Sequence, residues 1–273
     1  MTSLARVERP VAWADLPLIT FIVDTGAVAD IELRKVRHDP IELITRAAQP
    51  ILWLLIFGQV IAATRAIPTG GLPYLDFLAP GVLAQSALFA AIFYGITIIW
   101  ERDMGVVQRY LVTPASRWAL VAGKALAAGL RSLVQAPIVY IIALLLGVHA
   151  SLDPLRLVGV AFAVVLGSAV FALFSLTIAC IVRTRERLMG IGQLMTMPLF
   201  FASSAIYPTS LMPDWLKVLS AVNPLTYMVS ALRELMVSPT VDPVAILGDL
   251  GVLVLACAIL LAIATKLFPR VAV

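Results

Sequence analysis

From Leu157 to Val182 the chain carries no charged side chain, a stretch long enough to cross a hydrocarbon core about 30 Å thick, which takes about 20 helical residues. No other feature constrains the fold as much, because the backbone polar groups of such a run must be satisfied without water. Only helices and closed barrels achieve that, and runs this long lack the period-two alternation of barrel strands. Five further apolar runs accompany it. The expected spans are Ile44–Ala63, Leu75–Trp100, Trp118–Val148, Leu157–Val182, Leu188–Tyr207 and Ile246–Leu267. The last is the cleanest, with eight Val, Leu and Ile residues between Val252 and Ile263 contributing roughly −2 to −5 kcal/mol to insertion. In the third, Arg131 and Gln135 sit in the first half, so Trp118–Arg131 is expected to emerge toward water and the buried part to begin near Leu133. Hydrophobic residues make up 61% of the 273 positions and charged residues 13%, which excludes an ordinary soluble domain. The fold class expected is an all-α membrane protein with six transmembrane helices.

The basic residues then orient it. Fifteen of the 20 precede or open the first span, follow the second or the fourth, or close the chain, while the alternate loops hold only Arg65, Arg156, Lys217 and Arg233, with Arg131 left inside. An excess of Lys and Arg marks cytoplasmic loops. Both termini and the charged segment Glu101–Lys124 are therefore expected in the cytoplasm, and the protein in the plasma (cell inner) membrane. The net charge of +4 does not indicate nucleic acid, since the basic residues sit between spans rather than on one face. Cys180 and Cys257 both fall in apolar runs, which argues against a structural disulfide. Leu16–Val23 is apolar but short and stopped by Asp24, so no cleavable signal peptide is read there.

Two segments are expected to be helical without spanning. Within residues 1–43, the cytoplasmic N-terminal part, Asp24–Glu42 places Ile31, Leu33, Val36 and Ile41 among Glu32, Arg34, Lys35 and Arg37. That pattern fits an amphipathic helix on the inner leaflet, broken at Asp39-Pro40, or an ordinary cytosolic helix. Residues 44–273 form the membrane domain. Between its fifth and sixth spans, Tyr207–Pro243 is too apolar for a plain loop: Leu211, Trp215, Leu216 and Leu219 recur at helical spacing, then Asn223-Pro224 begins a second apolar face through Leu225, Met228, Val229, Leu232, Leu235 and Met236. A residue pair of cap and proline is a helix start. Two short helices dipping into, or lying on, the outer leaflet are expected. Arg233 and Glu234 beside them suit salt bridges with each other's neighbours, or an exit gate.

No catalytic constellation is present. His38 and His149 fall on opposite sides of the membrane in this orientation, and no H-E-x-x-H or Cys pair appears, so no metal site is expected. Ser168 and Ser175 are read as hydroxyls bonding within or between helices. Apart from Arg131, no ionisable residue is expected well inside a span, where ion coupling ordinarily needs a relay of carboxylates, His or Lys; a broken helix coordinating an ion stays possible around Met197-Pro198. Nor does the chain carry a phosphate-binding loop, which needs G-x-x-x-x-G-K-[ST]. Gly123-Lys124 is followed by Ala125, and Trp118 stands where the first glycine belongs. Energy for transport would then enter from the aqueous side through Glu101–Lys124, delivered by a separate ATPase.

The segment Glu101-Arg102-Asp103-Met104-Gly105, Arg109-Tyr110-Leu111-Val112-Thr113-Pro114, Ser116-Arg117 and Gly123-Lys124 resembles the cytoplasmic segment of ABC type-2 exporter permeases, nearest to the daunorubicin-resistance and nodulation-factor subgroup. Leu78-Ala79-Pro80-Gly81, Ala205-Ile206-Tyr207-Pro208, Met212-Pro213-Asp214-Trp215-Leu216, Asn223-Pro224-Leu225-Thr226-Tyr227 and Ala231-Leu232-Arg233 agree, so the likeness runs from about Pro40 to the C-terminus. Gln108 departs from the Glu expected there. The resemblance implies a non-enzymatic six-span permease that pairs with a second, same or related permease and docks two ATP-binding subunits, which bind the ATP and Mg. It also implies export of a hydrophobic or amphipathic substrate, such as a drug, lipid, glycolipid or lipid-linked saccharide. Coupling residues on this likeness are Glu101, Gly105, Val107, Arg109, Tyr110, Leu111, Pro114 and Arg117, with Arg34, Lys35 and Arg37 on the interfacial helix. A short helix around Val106–Leu111 would offer Val107, Tyr110 and Leu111 as an apolar knob flanked by Arg109 and Arg117; a solvated loop binding anionic lipid is the plainer reading. Phe89, Phe93 and Tyr94 with Met195, Met197, Phe200 and Phe201 could line an apolar substrate cavity or simply pack helices. An ion-coupled carrier and a non-transporting membrane scaffold remain the alternatives.

Overall fold

A computed structural model of the chain describes residues 17–36, 48–111, 116–182 and 184–269. Among these the structure is helical, without strands. The order is α1 (Pro17–Val36), α2 (Ala48–Thr64), α3 (Tyr74–Asp103), α4 (Val106–Leu111), α5 (Arg117–Leu145), α6 (Pro154–Ala179), α7 (Arg185–Phe201), α8 (Asp214–Val222), α9 (Pro224–Met236) and α10 (Pro243–Leu267), with one 3-10 turn at Thr209–Leu211.

The starts and stops have local causes. Three helices open on the same device, a capping side chain followed by proline: Asp153 caps the Leu155 amide before Pro154, Asn223 caps Leu225 before Pro224, and Asp242 caps Val244 and Ala245 before Pro243. Proline costs nothing at the first helical position, where its missing N–H had no partner. Ser116 begins α5 by accepting from the Ala119 amide at 3.1 Å. That helix stops at Gly147, whose φ of +84° suits a residue without Cβ; the Val148 amide then returns to the Ala143 carbonyl at 3.0 Å. Inside α2 the turns at Trp53–Gly58 widen to a π-helix.

Four helices, α3, α5, α6 and α10, are long and apolar enough to cross a membrane; α3 and α10 cover expected spans, and α5 and α6 each end three residues before theirs. The helices at the first and fifth expected spans are shorter over the described residues: α2, described from Ala48, and α7 have 17 residues each, about 25 Å at 1.5 Å per residue. Pro198 does not break α7. The helix continues through it to Phe201, with the Ala202 amide still bonded to the Pro198 carbonyl at 2.8 Å. The break comes afterward, in the buried run Ala202–Ile206.

At the centre is α6, packed against α3, α5, α9 and α10. Small residues permit this. A Cβ on Gly129 of α5 would meet the Val165 carbonyl oxygen at 2.7 Å, and one on Gly167 of α6 would strike the Met228 sulfur of α9 at 2.3 Å, so the helices approach to backbone distance. Ser175 of α6 donates to the Ile92 carbonyl of α3 at 2.5 Å, a helix-to-helix bond of the kind expected. The periphery belongs to α10, where 11% of the apolar stretch is covered by the chain, against 72% for α3.

The N-terminal helix lies earlier than the sequence pattern indicates. Rather than starting at Asp24, α1 begins at Pro17 and takes in the apolar Pro17–Val23 stretch, because that stretch continues the same helix without a breaker. One face packs on α5: Val28 and Ala29 are buried, and Gly123 of α5 leaves room for Val28, whose Cβ lies 2.6 Å from where a glycine side chain would begin. Of the interfacial residues, Arg34 and Lys35 lie on the last turn of α1, while Arg37 and the Asp39-Pro40 break fall outside the described residues. The two short helices after α7 differ from each other. α9 buries Leu225, Met228, Val229, Leu232, Leu235 and Met236, whereas α8 leaves Trp215, Val218, Leu219 and Val222 exposed on one face.

Candidate functional site

The charged interruption of the sequence becomes a hairpin of helices. α3 ends at Asp103, Met104 and Gly105 turn the chain, and α4 begins at Val106. Gly105 has φ +71°, and a Cβ there would meet only the Gln108 side-chain oxygen, at an ordinary 3.8 Å. Its requirement is therefore conformational, since other residues are strained in that region. Val107 is fully buried and belongs to a cluster with Val28 of α1, Ile98 of α3, Leu120 and Val121 of α5, Leu173 and Leu176 of α6, and Ala264 and Phe268 at the end of α10. Instead of standing out as part of an exposed knob, Val107 pins α4 to the rest of the chain. Arg109, Tyr110 and Leu111 are helical in α4; Pro114 lies outside the described residues. Arg117 is exposed at the start of α5, and Trp100, Met104 and Trp118 add exposed apolar surface around it.

Two of the charges meet inside the bundle. Glu101 and Lys124 are 2% and 1% exposed, and the Lys124 Nζ donates to Glu101 Oε2 at 2.5 Å. Sequence reasoning put both in a water-facing loop and kept all ionisable groups but Arg131 out of the interior. The structure corrects that: α5 is continuous from Arg117, and its first turns are covered by α1, α3 and α6 rather than by water. A buried lysine is tolerated only with a partner, and a helix face offering one at Glu101 was the available signal. Two turns further along both helices, the Arg131 guanidinium sits 5.0 Å from the Tyr94 ring centroid, a cation–π geometry. Asp103, at the exposed tip of α3, takes hydrogen bonds from Arg102 at 3.0 Å and from Arg185 at 2.8 Å. Arg185 also stacks over Trp100 at 4.9 Å, so the first turn of α7 rests on the last turn of α3.

The opposite end is built on backbone. Tyr74 donates to the Ile206 carbonyl at 3.1 Å, and Asn223 donates to the carbonyls of Leu199 and Ala202 at 2.7 and 3.1 Å while capping α9. Arg233 donates to Ser204 and Phe77 carbonyls at 2.7 and 3.3 Å and lies 3.8 Å over the Phe77 ring. Neither a bridge to a carboxylate nor an open gate describes it: its cation holds the non-helical run after α7 against the start of α3. Burial pulls its pKa down to about 10, with Glu234 pushing it back up, so it remains charged at neutral pH. Gly81 of α3 completes the contact, since a Cβ there would lie 2.4 Å from the Ala205 carbonyl oxygen. Asp76, buried in the first turn of α3, accepts from the His149 amide at 3.1 Å and faces its ring Nδ1 at 3.0 Å. Arg156 closes the same end on the Ser238 carbonyl at 2.7 Å.

The cavity candidates do not converge on one void within the chain. Phe89 and Phe93 stack at 6.2 Å, Phe200 is buried between Trp53 and Phe201 at 5.4 and 5.8 Å, and Tyr94 is buried under Arg131. Met195 is half-buried, while Met197 and Phe201 are exposed on the outer face of α7. Tyr94 also lines a narrow crevice with Ile98, Lys124, Ala125, Ala172, Leu173 and Leu176. No group of three or more metal-ligating side chains gathers among the described residues.

A family model described as ABC-2 type transporter matches residues 24–237. The chain is 30% identical over 207 residues to a putative transport permease, ycf38, of Cyanophora paradoxa, covering 74% of this chain and 70% of that protein. Over 201 residues it is 29% identical to the daunorubicin resistance ABC transporter permease protein DrrB1 of Streptomyces coeruleorubidus, with 73% and 70% covered. A third relative, the probable doxorubicin resistance ABC transporter permease protein DrrC of Mycobacterium tuberculosis, is 25% identical over 248 residues, 89% of this chain and 88% of its own length.

Proposed function

The chain belongs to the ABC-2 type transporter family, and on that premise we propose that it is the membrane permease subunit of an ATP-driven exporter. The observation that carries the reading is α4, a short helix beyond the end of a spanning helix, anchored by the buried Val107 to α1, α3, α5, α6 and α10. A push applied there reaches most of the bundle. The α4 end faces the cytoplasm, as the distribution of basic residues requires, and two ATP-binding subunits dock on it and on α1, supplying ATP and Mg. The chain itself performs no hydrolysis.

In this reading α2 and α7 are the first and fifth of six spans. The run Ala202–Ile206 extends α7's depth without helix, tolerable in a membrane because its carbonyls are bonded by Tyr74, Asn223 and Arg233. α8 lies in the outer leaflet on its exposed face of Trp215, Val218, Leu219 and Val222. A second permease chain, identical or related, completes the pathway, with the exposed Met197 and Phe201 of α7 and the half-buried Phe89, Phe93 and Met195 offering adaptable apolar surface for a hydrophobic or amphipathic substrate, while Tyr94 and Phe200 pack behind it. The anthracycline names attached to two relatives make daunorubicin the first probe.

The test reconstitutes the chain with an ATP-binding subunit that co-purifies with it and follows daunorubicin uptake into inverted plasma-membrane vesicles. ATP-dependent uptake is expected, lost in Arg109→Glu with membrane insertion and subunit levels intact. Uptake by the chain without a nucleotide-binding partner, or uptake abolished by an ionophore while ATP persists, defeats the proposal.

A further inference from the structure

We propose that Gln85 of α3 and Ser168 of α6, polar side chains sealed in the bundle without partners, bias the protein toward a second arrangement in which their level opens to water. The inference rests on the permease reading above and adds to it a source of conformational bias inside the chain itself.

Gln85 is 1% exposed, and neither its amide nitrogen nor its amide oxygen has a hydrogen-bond partner among the described residues. Ser168, expected from the sequence to bond within or between helices, is fully buried, and its hydroxyl is equally unpartnered. The two stand at one level. α3 starts beside His149, shortly before α6 begins at Pro154, so both helices run from the same end. Ser175 of α6 bonds the Ile92 carbonyl of α3. Ser168 and Gln85 lie seven residues before these two, about two turns back along each helix and on the same faces.

Hydroxyls close to this level in sequence are committed to backbone. Ser86 donates to the Leu83 carbonyl at 2.8 Å, Thr196 to the Gly192 carbonyl at 2.6 Å and Ser203 to the Phe200 carbonyl at 2.7 Å. The Gln85 face of α3 is closed by α7 and the run after it. Gly81, four residues before Gln85, lies against the Ala205 backbone, and Ile92, seven after, lies against Gly192. α7 rests mainly on α3 and only lightly on α6, so a single helix covers this face.

A buried polar group without a partner gives up the hydrogen bonds it makes in water, and native packing leaves few such groups. Three unmet atoms at one level therefore raise the free energy of the closed packing relative to an arrangement that hydrates them. Replacing them with apolar groups of the same shape removes that difference. Gln85→Met and Ser168→Ala should thus stabilise the closed form, against the usual direction for core substitutions, and disfavour the open one.

The experiment uses the chain assembled with a co-purifying ATP-binding subunit. Gln85→Met is expected to raise Tm by about 2 °C or more and to slow ATP-dependent daunorubicin uptake by about fivefold or more; Ser168→Ala should shift both the same way by less. In a Cys180→Ala, Cys257→Ala chain, Ser168→Cys is expected to react with a membrane-impermeant methanethiosulfonate at least about tenfold faster during ATP hydrolysis than without nucleotide. Ala163→Cys, buried on another face of α6, should stay unreactive in both conditions. A Tm lowered or unmoved by Gln85→Met, a raised Tm with unslowed uptake, or Ser168→Cys labelling indifferent to ATP overturns the inference while the permease reading stands. A parent assembly without ATP-dependent uptake overturns that reading and the bias with it.

Discussion

At the α4 end of the bundle, charged side chains meet one another across helices: Glu101 with Lys124, and Asp103 with Arg185. At the α9 end, Arg156, Arg233, Asn223 and Tyr74 reach backbone carbonyls instead. The difference follows from what each end must hold. Helices satisfy their own backbone, so at the α4 end the polar side chains are free to join helix to helix. After α7 the chain gives up its helix at Ala202 while still buried, and unpaired carbonyls in an apolar setting cost several kcal/mol each. There the polar side chains are committed to backbone. One end joins rods to one another, and the other keeps an irregular strap in place.

Substitutions probe this contrast. The largest expected effect is Lys124→Met, which removes one partner of the buried pair with Glu101 and should cost about 3–5 kcal/mol, read as a large drop in Tm of the detergent-purified protein. Next is Arg233→Met, which removes the donors to Ser204 and Phe77 and the contact with the Phe77 ring, for about 2–4 kcal/mol. Its signature is local: protease sensitivity or faster amide exchange confined to Ala202–Pro208 and the start of α3, with the α4 end unchanged. Asn223→Ala loses the α9 cap and two carbonyl bonds and should cost about 1–3 kcal/mol, with exchange rising in the same segment. Smallest is Asp103→Asn. Its partners are solvated, so Tm should not move measurably, and a clear fall would show that α7 is held at this end more tightly than the exposed pair implies.

Much of this architecture follows from hydropathy and end signals alone. Leu75–Trp100 and Ile246–Leu267 fall within a few residues of α3 and α10, and Asn223-Pro224 starts α9 as its residues dictate. These succeed because burial in lipid and helix capping are local properties. The misses concern groups that find partners far along the chain. Hydropathy reads Lys124 as a residue that needs water, yet Glu101, 23 residues earlier, meets the need inside the protein. Arg233 lies beside Glu234 in sequence, but a helix points neighbours apart, and its donors go to Phe77 and Ser204. Pro198 suggests a break where the helix persists, because the chain can bend around a proline if the freed carbonyl is otherwise satisfied. Val107 looked available to a partner since its own cluster draws on five other helices that no window along the sequence brings together.

The length of α10 carries a consequence for the surrounding bilayer. At 25 residues, α10 is about 37 Å long, lies at the rim and exposes Val254, Leu255, Ile259 and Ile263 along its outer face. Acyl chains beside it must stretch, or the helix must lean. Lipids with longer chains would then collect along that flank.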